Sequence, residues 1–201
     1  MKVVGRYSEE AGKIYDVVVA TAAVSLMRNN EAESALGDWM TDCSREWAKS
    51  DIAIQNSGGI RADMHAGPVT LRHLYDIMPF DNRVVNLTMS GRLVREVFDH
   101  GVGKSKGMLQ VSGASFSYGR DKGPGARVSS IFVAGKPLDP KASYAVSTID
   151  FLTNGGDGYT PFSLAEKKDV TRVLLRDVLR LCAEKHPLIT TPPGGRMAPG
   201  P

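Results

Sequence analysis

Cysteine is scarce: the 201 residues include only Cys43 and Cys182. The two stand far apart, each inside an apolar helical pattern, and read as a pair of buried thiols rather than a disulfide or a metal site. No stretch reaches the roughly 18 consecutive apolar residues of a membrane span, and Met1-Lys2-Val3-Val4-Gly5 lacks the apolar centre of a signal peptide. The 25 basic and 22 acidic side chains leave a net charge of +3 with no long basic run. That argues against a dedicated nucleic-acid surface and leaves room for a small anionic ligand. The four histidines, His65, His73, His100 and His186, occur in no H-x-H, H-E-x-x-H or N-H-D/E arrangement. A two-metal hydrolytic centre needs such clustered ligands, so no metal and no cofactor is assigned to this chain. There is no G-x-S-x-G elbow and no glycine-rich phosphate loop ending in Lys-Ser or Lys-Thr. Ser57, before two glycines, has no identifiable base partner. Binding chemistry remains, without catalytic machinery.

What is present is a mixture of short β-type runs and amphipathic helices. Val17 to Val24 is β-branched and reads as a buried strand. Ser34 caps a helix whose Leu36, Trp39, Met40, Cys43 and Trp47 form one apolar stripe. Asp51 to Gln55 reads as a strand running into Asn56-Ser57-Gly58-Gly59. Thr70 caps a helix through Met78, Arg83 to Met89 returns to strand pattern, and Ser90 caps a helix bearing Leu93, Val94, Val97 and Phe98. Met108 to Tyr118, Arg127 to Val133 and Ser143 to Ile149 read as strands, with a hairpin turn at Ala134-Gly135-Lys136. The spacing of Val170, Val173, Leu174, Val178 and Leu181 predicts a final helix over 169–184. Residues 1–16 read as polar and weakly helical. The segment 189–201, rich in Thr, Pro and Gly, cannot bury apolar surface and reads as a disordered tail. Strands mixed with helices, without strict βαβ alternation, predict a single α+β domain over 17–188, with a mixed β-sheet packed against helices.

Two segments carry the candidate site. In Asn56-Ser57-Gly58-Gly59-Ile60-Arg61 a glycine pair stands beside an arginine fork able to meet phosphate or hydroxyl oxygens. In Phe151-Leu152-Thr153-Asn154-Gly155-Gly156-Asp157-Gly158-Tyr159 a second glycine pair stands beside a carboxylate able to accept from a ribose diol. The bland alternative is two ordinary turns, with Arg61 and Asp157 joined in a surface ion pair. Phe80 and Phe151 are flanked by polar and turn residues and read as loop-borne rings able to stack on both faces of a base. Their alternative is ordinary core packing. The candidate substrate-binding residues are therefore Asn56, Gly58, Gly59, Arg61, Phe80, Phe151 and Asp157.

Glu33 to Met40, Asp51 to Arg61 (DIAIQNSGGIR), Ile77-Met78-Pro79-Phe80-Asp81-Asn82, Leu109 to Gly113, Gly135 to Asp139 and Phe151 to Tyr159 (FLTNGGDGY), in this order, resemble the C-terminal domain of the 5′-nucleotidase/UDP-sugar hydrolase family. The resemblance implies a two-domain phosphoesterase of nucleotide catabolism. Its N-terminal metallophosphoesterase domain, not matched here, would hold a divalent metal pair of the Zn, Mn or Co type and do the hydrolysis, with residues 1–16 as the linker from it. The C-terminal domain would bind the nucleoside part of a nucleotide and rotate to present it. Phe80 and Phe151 match the rings that sandwich the base, Asn56 and Arg61 match pocket-lining polar groups, and Asp157 matches the ribose carboxylate. The resemblance also implies a periplasmic or cell-surface location. The chain departs from the pattern twice. Asn29-Asn30-Glu31-Ala32 lacks a further arginine, for which Arg28 substitutes only with a rearranged loop, and Asp81 replaces a glycine, bringing negative charge close to the base clamp. The alternatives are a stand-alone nucleotide-binding module without hydrolase activity, and an interaction domain with a decayed pocket.

Overall fold

A five-stranded mixed sheet organises the domain, and the computed structural model describes residues 15–103 and 107–200. In chain order its first elements are β1 (Val18–Ala22), α1 (Ala35–Ala48), β2 (Ile52–Asn56), β3 (Gly67–Thr70), α2 (Leu71–Ile77), β4 (Arg83–Ser90) and α3 (Gly91–Gly101). Then come β5 (Leu109–Ser112), β6 (Ala114–Tyr118), β7 (Val128–Val133), β8 (Lys136–Pro137), β9 (Ser143–Ile149) and the single turn α4 (Asp150–Thr153). The chain closes with β10 (Lys167–Leu174), α5 (Leu175–Lys185), β11 (Leu188–Ile189) and β12 (Met197–Pro199). The central sheet runs β10-β4-β9-β2-β5, with smaller sheets β11-β1-β3 and β12-β6-β7-β8 beside it. Only the β2–β9 pair of the central sheet is parallel. The fold is the expected α+β domain.

Helix starts follow the local chemistry. The side chains of Ser34, Thr70 and Ser90 accept from the backbone N–H groups of Gly37, His73 and Leu93, satisfying donors that a first turn leaves orphaned. The stripe Leu36, Trp39, Met40 and Cys43 is buried, and α1 lies against β2, β5 and β9. Met108 to Tyr118 divides at Gly113, whose φ of 79° and close approach to the Asp51 carbonyl exclude a side chain. The break lets β5 complete the central sheet while β6 starts another.

Four expectations need comment. The helix predicted over 169–184 begins only at Leu175, because Lys167–Leu174 is an edge strand antiparallel to β4. Val170, Thr171 and Val173 are β-branched and favour extended backbone, and the free edge of β4 supplies the hydrogen bonds. Cys43 and Cys182 are not thiols: they form a disulfide joining α1 to α5, with Cα atoms 5.6 Å apart. Segment 189–201 is not a disordered tail through residue 200. Ile189 pairs with β1, Met197–Pro199 runs parallel to β6, and Arg196 clasps Asp42 with bonds of 2.9 and 2.7 Å. Its order comes from main-chain pairing, from the clasped guanidinium and from Ile189 and Met197, both buried in the core, so the segment does bury apolar surface. The weakly helical reading of 1–16 lies outside the described residues except for Tyr15 and Asp16.

Beside this clasp, burial pushes the Asp38 carboxyl up to about 8, opposed by Arg196 and reinforced by Glu33. Its Oδ1 is buried without a hydrogen-bond partner, and Arg196 Nε lies 3.6 Å away. Folded Asp38 thus keeps a proton that the unfolded chain releases near the ordinary 3.8. Its contribution to stability is complete below pH about 4 and is lost as pH rises through about 8. Asp38→Asn, which cannot ionise, is expected to gain stability over wild type across that window, by about 1 kcal/mol per pH unit at the steepest. Urea melts of both proteins at pH 5 and pH 8 check this; an equal difference at the two pH values would count against it.

Candidate functional site

One cleft of about 380 Å³ is lined by Asn56, Gly58, Gly59, Arg61, Phe80, Asn82, Phe151 and Asp157. All seven residues singled out from the sequence meet there, from the end of β2 and from the segments that follow β2, α2 and β9. Buried strand β2 delivers Asn56 to the rim, where the chain turns through Ser57–Gly59. Glycine at 59 leaves room for the two amides, since a Cβ would stand 2.7 Å from Gln55 Nε2 and 3.1 Å from Asn56 Oδ1 and would displace the Gln55 side chain. The same Gln55 amide donates to Asn56 Oδ1 at 2.9 Å, which turns Asn56 Nδ2 outward to donate to Asp157 Oδ2 at 2.7 Å. Arg61 is held by its own turn, Nη1 donating to the Gly58 carbonyl at 3.1 Å. It makes no ion pair with Asp157 within the described residues, so the surface-pair alternative does not hold.

The two rings stand at the surface, Phe80 and Phe151 each 43% exposed. Core packing is therefore not their role. Phe151 lies in the single turn α4, and a Cβ on Gly156 would come within 2.6 Å of its ring. The second glycine pair thus serves two needs. Gly155 supplies a left-handed turn at φ 87°, and Gly156 lets the ring lie against the loop. Asp157, at φ 53°, is itself left-handed. Tyr159 just beyond is buried, and burial, with the Asp157 charge, pushes its hydroxyl pKa up, keeping it neutral.

Arg176, at the start of α5, was not singled out from the sequence. Its buried guanidinium donates to the carbonyls of Met78 at 3.2 Å and Phe80 at 3.4 Å, pairs with Asp81 Oδ1 at 2.9 Å, and lies 3.7 Å over the Tyr75 ring. Asp81 consequently faces Arg176 and is absent from the cleft wall, which changes the expectation that its charge sits against the base clamp. Arg28 bonds the Ile60 carbonyl at 3.3 Å and does not line the cleft. Asn82 does line it and was missed as a site residue, although it directly follows the Pro79-Phe80-Asp81 segment; His100, which bonds the Asp157 carbonyl at 2.9 Å, carried no sequence signal. No group of three or more His, Cys, Asp or Glu able to hold a metal ion exists among the described residues.

Residues 12–164 match the model of the family described as 5′-nucleotidase, C-terminal domain. The chain is 32% identical over 170 residues to an apyrase of Tabanus yao, the match covering 71% of this chain and 31% of that protein. It is 31% identical over 141 residues to protein UshA of Yersinia enterocolitica, covering 70% of this chain and 25% of the relative. Among solved structures, the 5′-nucleotidase precursor from Thermus thermophilus superposes with a TM-score of 0.90 at 28% identity, covering 98% of this chain and 42% of that one. The chain therefore spans under half the length of these relatives.

Proposed function

We propose, from the premise that this chain belongs to the family of 5′-nucleotidase C-terminal domains, that it recognises the nucleoside part of a nucleotide. The observation carrying this reading is a single cleft with two exposed phenyl rings, an arginine and a carboxylate on its walls. Base faces pack on Phe80 and Phe151. Asn56 and Asn82 present amide groups to base or sugar edges, and Arg61 faces the phosphate side. Asp157 keeps Oδ1 for a ribose hydroxyl while Oδ2 accepts from Asn56.

Hydrolysis belongs, in this reading, to a metallophosphoesterase domain that carries the divalent metal pair, with this domain presenting the substrate. Support comes from the names of two longer relatives, an apyrase and a 5′-nucleotidase precursor, of which this chain spans only a part. This chain alone is expected to release no phosphate from AMP, ATP or UDP-glucose with Mn²⁺, Zn²⁺ or Co²⁺. Metal-dependent release that co-purifies with the chain and disappears in Asp157→Ala would overturn that expectation. We further place the protein in the periplasm or at the cell surface, a reading supported by the Cys43–Cys182 bond, since disulfides persist in oxidising compartments.

Asp157 tests the binding reading directly. A carboxylate accepting from a diol makes charge-assisted hydrogen bonds, whose loss costs about 1.5–3 kcal/mol. Asp157→Ala should weaken adenosine by that amount and 2′,3′-dideoxyadenosine far less, in calorimetric titrations. Equal losses for both ligands would remove Asp157 from the diol.

A further inference from the structure

Asp157 occupies a conformation that the free chain rarely visits. With φ at 53°, between Gly156 and Gly158, it is a left-handed non-glycine residue, a state that persists only where surroundings impose it. Two groups hold it. Asn56 grips the carboxylate at Oδ2, and His100 meets the main-chain carbonyl with Nε2 at 2.9 Å. A carbonyl oxygen only accepts, so His100 carries its proton on Nε2 and donates it.

The histidine is itself set in place. It closes the last turn of α3, its ring stands edge-on to Tyr159 with centroids 4.5 Å apart, and a Cβ on Gly158 would lie 3.2 Å from its Cε1. Glycine at 158 therefore admits the ring to the turn, and buried Tyr159 backs it. His100 does not line the cleft; it reaches the turn from behind. One face of the turn is thus fixed through the Asp157 carbonyl and the other through its carboxylate, leaving Oδ1 as the oxygen free to meet a ligand.

We infer that His100 is a positioning residue for sugar recognition: its Nε2–H bond locks the Asp157 turn, and that lock sets the preference of the cleft for nucleosides with a vicinal ribose diol. The inference rests on the nucleoside reading above. Without the bond the turn can relax toward ordinary φ values, and the carboxylate then meets the diol in only part of the population. Ligands lacking the diol do not depend on that geometry. A structural role alone would instead lower the affinity for every ligand together, or lower stability.

The test measures dissociation constants of adenosine and 2′,3′-dideoxyadenosine for wild type, His100→Phe, His100→Ala and His100→Gln, with thermal melts of each. His100→Phe keeps a ring against Tyr159 and removes only the donor, so it remains informative if His100→Ala fails to fold. Wild type is expected to prefer adenosine. His100→Phe should reduce that preference about fivefold to tenfold, the effect of one hydrogen bond, while affinity for dideoxyadenosine changes less than about twofold. The Gln amide is a donor at similar reach and should restore most of the preference. A wild-type preference that survives His100→Phe, or parallel losses for both ligands, overturns the proposal alone. A wild type without any preference overturns the diol assignment of Asp157 and this proposal with it.

Discussion

Replacing Cys43 and Cys182 together by alanine should lower the unfolding free energy by about 2–5 kcal/mol. The bond closes a loop spanning a sequence separation of 139 residues, and in the chain-entropy account a long loop places the effect toward the upper end of that range. It also joins α1, which covers the central sheet, to α5, whose Arg176 holds the Phe80 segment. Urea melts of the double variant, and of wild type with and without reductant, measure the effect. Reduced wild type should approach the midpoint of the double variant. If reductant leaves the wild-type midpoint unchanged while mass spectrometry shows both thiols free, the bond contributes nothing to stability.

Phe80→Ala and Phe151→Ala should each cost about 1–3 kcal/mol in nucleoside affinity, the range for base stacking on an aromatic ring, with little change in stability. The reason is their position: both rings are substantially exposed, so truncation removes a stacking surface without opening a core cavity. Phe98 supplies the contrast. It is fully buried and stacked on Phe116 at a centroid distance of 4.8 Å, and Phe98→Ala should cost about 3–5 kcal/mol of stability. Calorimetric titration with adenosine and denaturant melts on all three variants separate the two quantities. Loss of several kcal/mol of stability in both ring variants would reject the clamp. Undetectable wild-type binding at millimolar adenosine would move the reading toward an interaction domain.

The sequence by itself determined those features whose causes lie within a few residues. Ser34, Thr70 and Ser90 cap helices because each side chain reaches a donor three positions ahead. Gly135 turns the chain between β7 and β8 because glycine takes its φ of 75° without steric cost. The seven candidate site residues were legible because their chemistry is held locally: a glycine pair stands beside Arg61 and another between Phe151 and Asp157, and Phe80 sits between a proline and two polar residues. Only the tertiary structure decided the features that need a partner distant in sequence. Apolar periodicity marks Cys43 and Cys182 as inward-facing, but bonding requires α1 and α5 to pack side by side. Val170 and Val173 fit a helical stripe as well as a strand, and the open edge of β4 selected the strand. Residues 189–200 are mostly Thr, Pro and Gly, and their two apolar anchors, Ile189 and Met197, find the core only once β1 and β6 pair with them, while Asp42 meets Arg196 across 154 positions. Asp81 reads as a charge beside the cleft until Arg176 arrives from α5, and His100 reads as one more helical residue until the turn at Asp157 is laid against it. Short-range sterics and capping are written in neighbouring residues. Burial, pairing and charge compensation arise only when the folded chain brings remote groups within reach of each other.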